Sequence, residues 1–164
     1  MKHILAAAAA SAALLAASVA TSASASTPTA TPTPTPTPAT ANAKAAFSGV
    51  DLSGIYECTG NDSKEGPYTG VVTLQLVAAQ STGKYGAYTF KLEVPGYGAY
   101  PGQAAANGLD MAIHFANVDP ATKDYGTGLA RFKKNKSGKW TFHKFYYEPE
   151  FKGGNHGTED CVRR

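Results

Sequence analysis

The stretch Tyr85-Gly86-Ala87-Tyr88-Thr89-Phe90-Lys91-Leu92-Glu93-Val94 sets Tyr88, Phe90, Leu92 and Val94 on one side and Thr89, Lys91 and Glu93 on the other. Side chains along a strand point to opposite faces in turn, so this period of two predicts a half-buried β-strand. Working outward, the same alternation recurs. Residues 53–60 place Tyr56 and Cys58 together, and residues 69–78 set Val72, Leu74 and Leu76 against Val71, Thr73 and Gln75. Residues 110–118 set Met111, Ile113 and Phe115 against Ala112, His114 and Ala116. Residues 125–134 turn Gly126, Gly128, Ala130 and Phe132 inward and Arg131 and Lys133 outward. Residues 139–148 set Trp140, Phe142, Lys144 and Tyr146 against Thr141, His143, Phe145 and Tyr147. Weaker runs at 99–106 and 157–163 bring the expected strands to about eight.

Turn chemistry separates these runs. Ser81-Thr82-Gly83, Asn107-Gly108, Asp119-Pro120 and Asn135-Lys136-Ser137-Gly138 favour turns, through positive φ at Gly or Asn or through the fixed φ of proline. The spacings suit hairpins, so neighbouring segments are expected to pair antiparallel. Residues 120–124 can form one short helical turn, and no longer amphipathic helix is expected. The two cysteines, Cys58 and Cys161, fall in the first and last strands, and in an exported protein such a pair is expected to be a disulfide rather than a metal or redox pair. Joined ends and a meander predict an all-β fold, a single antiparallel up-and-down barrel, with a β-sandwich as the alternative. The small residues Gly126, Gly128 and Ala130 suit a strand facing a tight barrel interior.

Composition divides the 164-residue chain. All 17 glycines and every aromatic residue lie at or after Phe47, so residues 47–164 form the expected domain. That part holds all 12 acidic and 13 of the 15 basic residues, a net charge of +1, which excludes a strongly basic nucleic-acid binder. Residues 1–25 read as a secretory signal peptide: Met1-Lys2-His3, an uncharged Ala/Leu-rich run, then Ala23-Ser24-Ala25. The run is short and Ala-dominated, which favours cleavage over a membrane anchor and leaves no membrane span in the mature protein. The Thr-Pro repeats of residues 26–46 predict a disordered linker of polyproline II character, and the composition also permits an O-glycosylated stalk. The protein is therefore expected to be secreted or periplasmic, and the signal has a bacterial look.

Gly54-Ile55-Tyr56 at the start of the first strand, followed by an antiparallel meander over residues 53–163, resembles the lipocalin and avidin group of small β-barrels, with Tyr56 where that group commonly has Trp. The resemblance implies a barrel that binds a small apolar ligand in its mouth. The chain is also similar to small exported bacterial proteins of unknown function, which implies no activity.

No catalytic pattern emerges. His114 and His143 fall on the outward side of separate strands, and neither has a metal-ligand spacing to another His, Cys or carboxylate. His156, Glu159 and Asp160 lie close together after a Gly-rich turn, a weak cation motif better read as a loop leading into the last strand. The serines lack a nucleophile-elbow setting. Glu148 and Glu150 stand two apart, a spacing open to a glycosidase reading, but Pro149 between them is expected to end the strand. Neither a metal nor a cofactor is expected. The basic residues Arg131, Lys133, Lys134, Lys136, Lys139 and Lys144 are read as solvated hairpin-tip and outward positions.

The expected function is a non-enzymatic, monomeric binding protein for a small apolar or aromatic ligand, with Tyr56, Tyr88, Phe115, Phe132, Trp140 and Phe142 lining the interior. Phe145, Tyr147 and Phe151 form an expected surface site for the alternative, a cell-envelope protein that binds an extracellular protein or glycan as an adhesin or enzyme inhibitor. A small hydrolase is the third reading, and no motif supports it.

Overall fold

A computed structural model describes residues 44–164, and the expected signal peptide and nearly all of the linker lie outside them. Eight strands follow in order: β1 (Gly54–Asp62), β2 (Gly66–Leu76), β3 (Tyr85–Val94), β4 (Gly98–Asn107), β5 (Asp110–Ala116), β6 (Tyr125–Lys134), β7 (Trp140–Glu148) and β8 (Asn155–Arg163). Each pairs antiparallel with the next, and β8 returns to β1, so the sheet is a closed up-and-down barrel rather than a sandwich. Among the described residues, helical structure is limited to short 3-10 turns at Ala78–Gln80, Pro120–Thr122 and Phe151–Gly153. The Pro120 turn forms where the sequence suggests it, with the Asp119 side chain accepting from the Ala121 N–H.

Cys58 and Cys161 are direct partners across the β1–β8 seam, 4.1 Å apart at Cα, and form the expected disulfide. In the chain-entropy picture, a crosslink closing so long a loop restricts the unfolded chain by about 4–5 kcal/mol. Hydrogen-bonded pairing along the same seam means that no strand edge is left open.

Period-two burial holds along every strand. Tyr88, Phe90, Leu92 and Val94 of β3 are buried while Thr89, Lys91 and Glu93 are exposed. The inner faces fill the barrel with side chains. Tyr56, Phe132 and Phe142 pack edge-on or tilted at centroid distances of 4.8–6.0 Å, a geometry that sets ring edges against ring faces. Gly102 and Gly126 have no room for a side chain: a Cβ there would meet the backbone carbonyl oxygens of His114 and Tyr147 at 1.9 and 2.3 Å.

The two barrel ends differ. One is capped by the segment before β1: Leu52 is fully buried, its carbonyl accepts from Tyr56 Oη at 2.8 Å, and Tyr88 Oη donates to the Val50 carbonyl at 3.2 Å. Farther back, the Ala46 carbonyl accepts from the Gly83 N–H and the Ala45 carbonyl from Thr82 Oγ1, tying the last expected linker residues to the β2–β3 connection. The opposite end carries the β1–β2, β3–β4, β5–β6 and β7–β8 connections.

Two expectations are corrected. Lys144 is not solvated: it points inward and is 1% exposed, because its place in the β7 alternation outweighs its charge once a carboxylate partner is present. Asn155 and His156 belong to β8 rather than to a loop, paired with Glu148 and Tyr147. Among the described residues no helix is long and apolar enough to cross a membrane.

Candidate functional site

Uncapped by the N-terminal segment, the second end of the barrel collects the ionisable groups that the strands turn inward. Asp62 ends β1, Tyr68 lies on β2, Tyr100 on β4, Lys144, Tyr146 and Glu148 on β7, and Asn155 and Glu159 on β8, while Asp124 immediately precedes β6. All of these but Asn155 line a cavity of about 50 Å³, whose lining also includes Glu65, Leu92, Val94, Tyr97, Phe115 and Phe151.

Deepest is a closed charge pair. Lys144 Nζ lies 2.8 Å from Glu159 Oε2, and Tyr68 Oη donates to Glu159 Oε1 at 2.6 Å. The Lys144 ammonium also stands 5.0–5.4 Å from the ring centroids of Phe90, Phe115 and Tyr146, within cation–π range. Burial, followed by the charge of Glu159, pushes the Tyr68 phenol far above its ordinary range, so it acts only as a neutral donor.

Above this pair lies a network of carboxylates. Asp62 accepts four hydrogen bonds, from the Lys64 and Glu65 N–H groups at 2.8 and 2.9 Å, from Tyr146 Oη at 2.8 Å and from Asn155 Nδ2 at 2.7 Å. Burial opposes ionisation of Asp62, but these donors outweigh it and hold the carboxyl below its usual range. Asn155 is fully buried; its amide also donates to Glu148 Oε2, and its carbonyl oxygen accepts from Ser63 Oγ at 2.7 Å. Tyr100 Oη donates to Asp124 Oδ2 at 2.8 Å.

Glu148 and Asp124 titrate in the opposite sense from Asp62. Burial, with the negative charges of Asp124 and Asp62 behind it, pushes Glu148 up to about 8. Burial likewise raises Asp124. Near neutral pH Glu148 therefore retains a proton facing the Asp124 carboxylate. None of Asp62, Asp124 and Glu148 has an ion-pair partner among the described residues. Of the cations in the neighbouring loops, Lys123 pairs with Glu150 and Lys152 with Glu65, while Lys64 of the β1–β2 connection is in none of the ion pairs among the described residues.

Of the expected interior residues, Tyr56, Tyr88, Phe132 and Phe142 are buried in the packed part of the barrel, Trp140 is half-buried, and Phe115 alone of the six lines the cavity. Of the expected surface residues, Phe145 and Tyr147 are each 48% exposed on the outer wall, whereas Phe151 lines the cavity from the β7–β8 connection. Glu148 and Glu150 do not face a common site: Glu148 points into the barrel, and Glu150 accepts from Tyr125 Oη outside it. His156 and Asp160 are exposed while Glu159 is buried, so the cation motif is split between the two faces of β8. His143 pairs with Asp160 on the outer surface at 2.9 Å. Cys58, Cys161 and Glu159 lie close together, but the disulfide occupies both sulfurs.

Barrel closure, not sequence proximity, joins Asp62, Asp124, Asn155 and Glu159, so no sequence motif sets them together. One signal was available. Lys144 and Glu159 both occupy inward positions of strands that are neighbours in a meander, and opposite charges at such positions predict a buried pair. Comparison of the sequence with protein-family models and with curated proteins gives no match.

Proposed function

We propose that this chain is an exported, non-enzymatic binding protein that takes a small ligand at the acidic end of its barrel. The observation carrying this reading is the cavity there, where tyrosines, phenylalanines and carboxylates converge from several strands and loops. Pockets that combine apolar walls with a few convergent polar groups and displaced pKa values are the usual places for ligands. At about 50 Å³ the cavity is far smaller than the roughly 300 Å³ of a site for a drug-sized molecule, so it suits a small group or the tip of a larger ligand resting among the loops. The closed eight-stranded barrel is in keeping with the resemblance to lipocalins and avidins. Export is supported by the disulfide and by the character of residues 1–25.

A second reading has its own support. Phe145 and Tyr147 on β7 and Leu129, the cross-strand partner of Phe145 on β6, expose apolar area on the outer wall. Such a patch suits an envelope or extracellular protein or glycan partner.

Native mass spectrometry of the protein purified from its own host separates the two. A co-purifying small molecule, released on unfolding, is the expected result. A bound protein or glycan on a barrel free of small molecules would overturn the first reading in favour of the second.

A further inference from the structure

We propose that the capped end of the barrel docks on an anionic lipid surface through the basic β6–β7 hairpin. This surface is separate from the ligand cavity, which lies at the opposite end.

Uncompensated charge is the first argument. Residues 125–147 hold six Lys and Arg residues and no Asp or Glu. Lys144 is buried with Glu159, and Arg131 pairs with Asp110. Lys133, Lys134, Lys136 and Lys139 are left exposed and in none of the ion pairs among the described residues. Residues 1–43 contain no Asp or Glu, so they supply no partner either. Lys84, just before β3, and Arg163, at the end of β8, stand unpaired at the same end, whereas at the acidic end Lys64 alone does so among the described residues. Charge is thus polarised along the barrel: a negative surface attracts one end and repels the carboxylates gathered at the other.

A preformed tip with apolar residues among the lysines is the second. Asn135 Oδ1 accepts from the Ser137 and Lys139 N–H groups at 3.0 Å each and from Ser137 Oγ at 2.8 Å, so the turn is set before any contact. Trp140, the one tryptophan of the chain, is half-buried at the start of β7, with the Lys134 ammonium 5.3 Å from its ring centroid. Leu109 is exposed at the β4–β5 tip beside the hairpin, its carbonyl accepting from the Phe132 N–H at 2.9 Å. Val162, the cross-strand partner of Thr141, is exposed near the same rim.

The kind of partner follows from these residue types. Lysine is a point charge on a flexible stem and makes little directional demand, whereas fixed carboxylate or sulfate groups of a polymer are matched better by the planar fork of arginine. Tryptophan and lysine both settle at a lipid–water boundary, ring or stem toward the apolar layer and polar tip toward water. Four unpaired lysines around Trp140 and Leu109, carried on turns, therefore suit a fluid layer of negative headgroups. Docked in this way, the barrel turns its cavity away from the surface.

The test follows Trp140 emission and co-sedimentation as the protein is titrated with vesicles of phosphatidylcholine alone, with vesicles of equal parts phosphatidylcholine and phosphatidylglycerol, and with dextran sulfate as a soluble polyanion. The expected result is a blue shift and saturable binding with the anionic vesicles, at least tenfold tighter than with the neutral ones and weakened by added salt. A lysine near an anionic surface contributes roughly fivefold in affinity, so Lys133→Gln/Lys134→Gln/Lys136→Gln/Lys139→Gln should lower it at least a hundredfold. If that variant does not fold, Lys136→Gln alone should lower it roughly fivefold while Lys64→Gln, at the other end, leaves it unchanged. Equal binding of neutral and anionic vesicles, or binding of neither, would overturn the proposal, and so would equal losses from Lys136→Gln and Lys64→Gln. Binding of dextran sulfate through the four lysines with no blue shift on either vesicle would overturn it in favour of an acidic glycan. None of these results bears on the ligand cavity.

Discussion

Lys144 on β7 and Glu159 on β8 are cross-strand partners whose charged groups meet 2.8 Å apart inside the barrel, with side chains 1% and 0% exposed. Neither charge reaches water, so each depends on the other. Removing one partner strands a buried charge, and such changes cost about 3–5 kcal/mol. Glu159→Gln or Lys144→Met should lower the unfolding free energy in urea by about that amount. The double variant Lys144→Met/Glu159→Leu should recover most of the loss, though not all, because Tyr68 Oη then lacks its acceptor. A double variant no more stable than the worse single one would show that the two groups do not act as a pair.

The seam disulfide tests closure. Cys58→Ala/Cys161→Ala should destabilise the domain by about 2–5 kcal/mol through the unfolded chain. The seven-residue β1–β8 pairing from Tyr56 to Asp62 remains, so the variant should still fold as a barrel. Chemical denaturation with and without reductant, on wild type and variant, measures both effects. A wild type indifferent to reductant would mean that the bond contributes nothing.

Stability should depend on pH with an unusual sign. Glu148, raised to about 8, and Asp124, also raised, bind protons more tightly folded than unfolded. Their contribution is complete below the ordinary carboxylate pKa and is lost as pH rises through the folded values. Asp62 is depressed, so its contribution holds above the ordinary value and is lost as pH falls through the folded one. Melting temperatures should therefore be highest near pH 5 and fall toward pH 8, and Glu148→Gln should flatten that decline. A profile rising from pH 5 to 8 would contradict the arrangement.

Backbone approach explains two of the glycines. In Gly102→Ala and Gly126→Ala the new Cβ would meet the carbonyl oxygens of His114 and Tyr147, on neighbouring strands that cannot yield without loosening the ladder. Each should cost about 1–3 kcal/mol or more in urea unfolding. Gly126→Ala should also disturb the amide shifts of Glu148, whose Cγ stands 2.8 Å from the same Cβ position.

Most of the barrel was legible because one period governs it. Tyr88, Phe90, Leu92 and Val94 announce their strand, and Cys58 with Cys161 announces the seam. The site was less legible for the opposite reason. Asp62, Asp124, Glu148 and Asn155 sit at strand ends or in loops, where alternation carries no information about who faces whom. The charge of Lys144 points to solvent only as long as Glu159, its cross-strand partner, is left out of account. Sequence proximity pairs Glu148 with Glu150, whereas its partners in space are Asp124 and Asn155.

The most direct test of the account is a ¹³C NMR titration of the Glu148 side-chain carboxyl in the protein without added ligand. Three buried carboxylates with no cation among them should place its midpoint near 8. A midpoint near the ordinary 4.5 would mean that the negative charge at this end of the barrel is already compensated, and would contradict the proposed site.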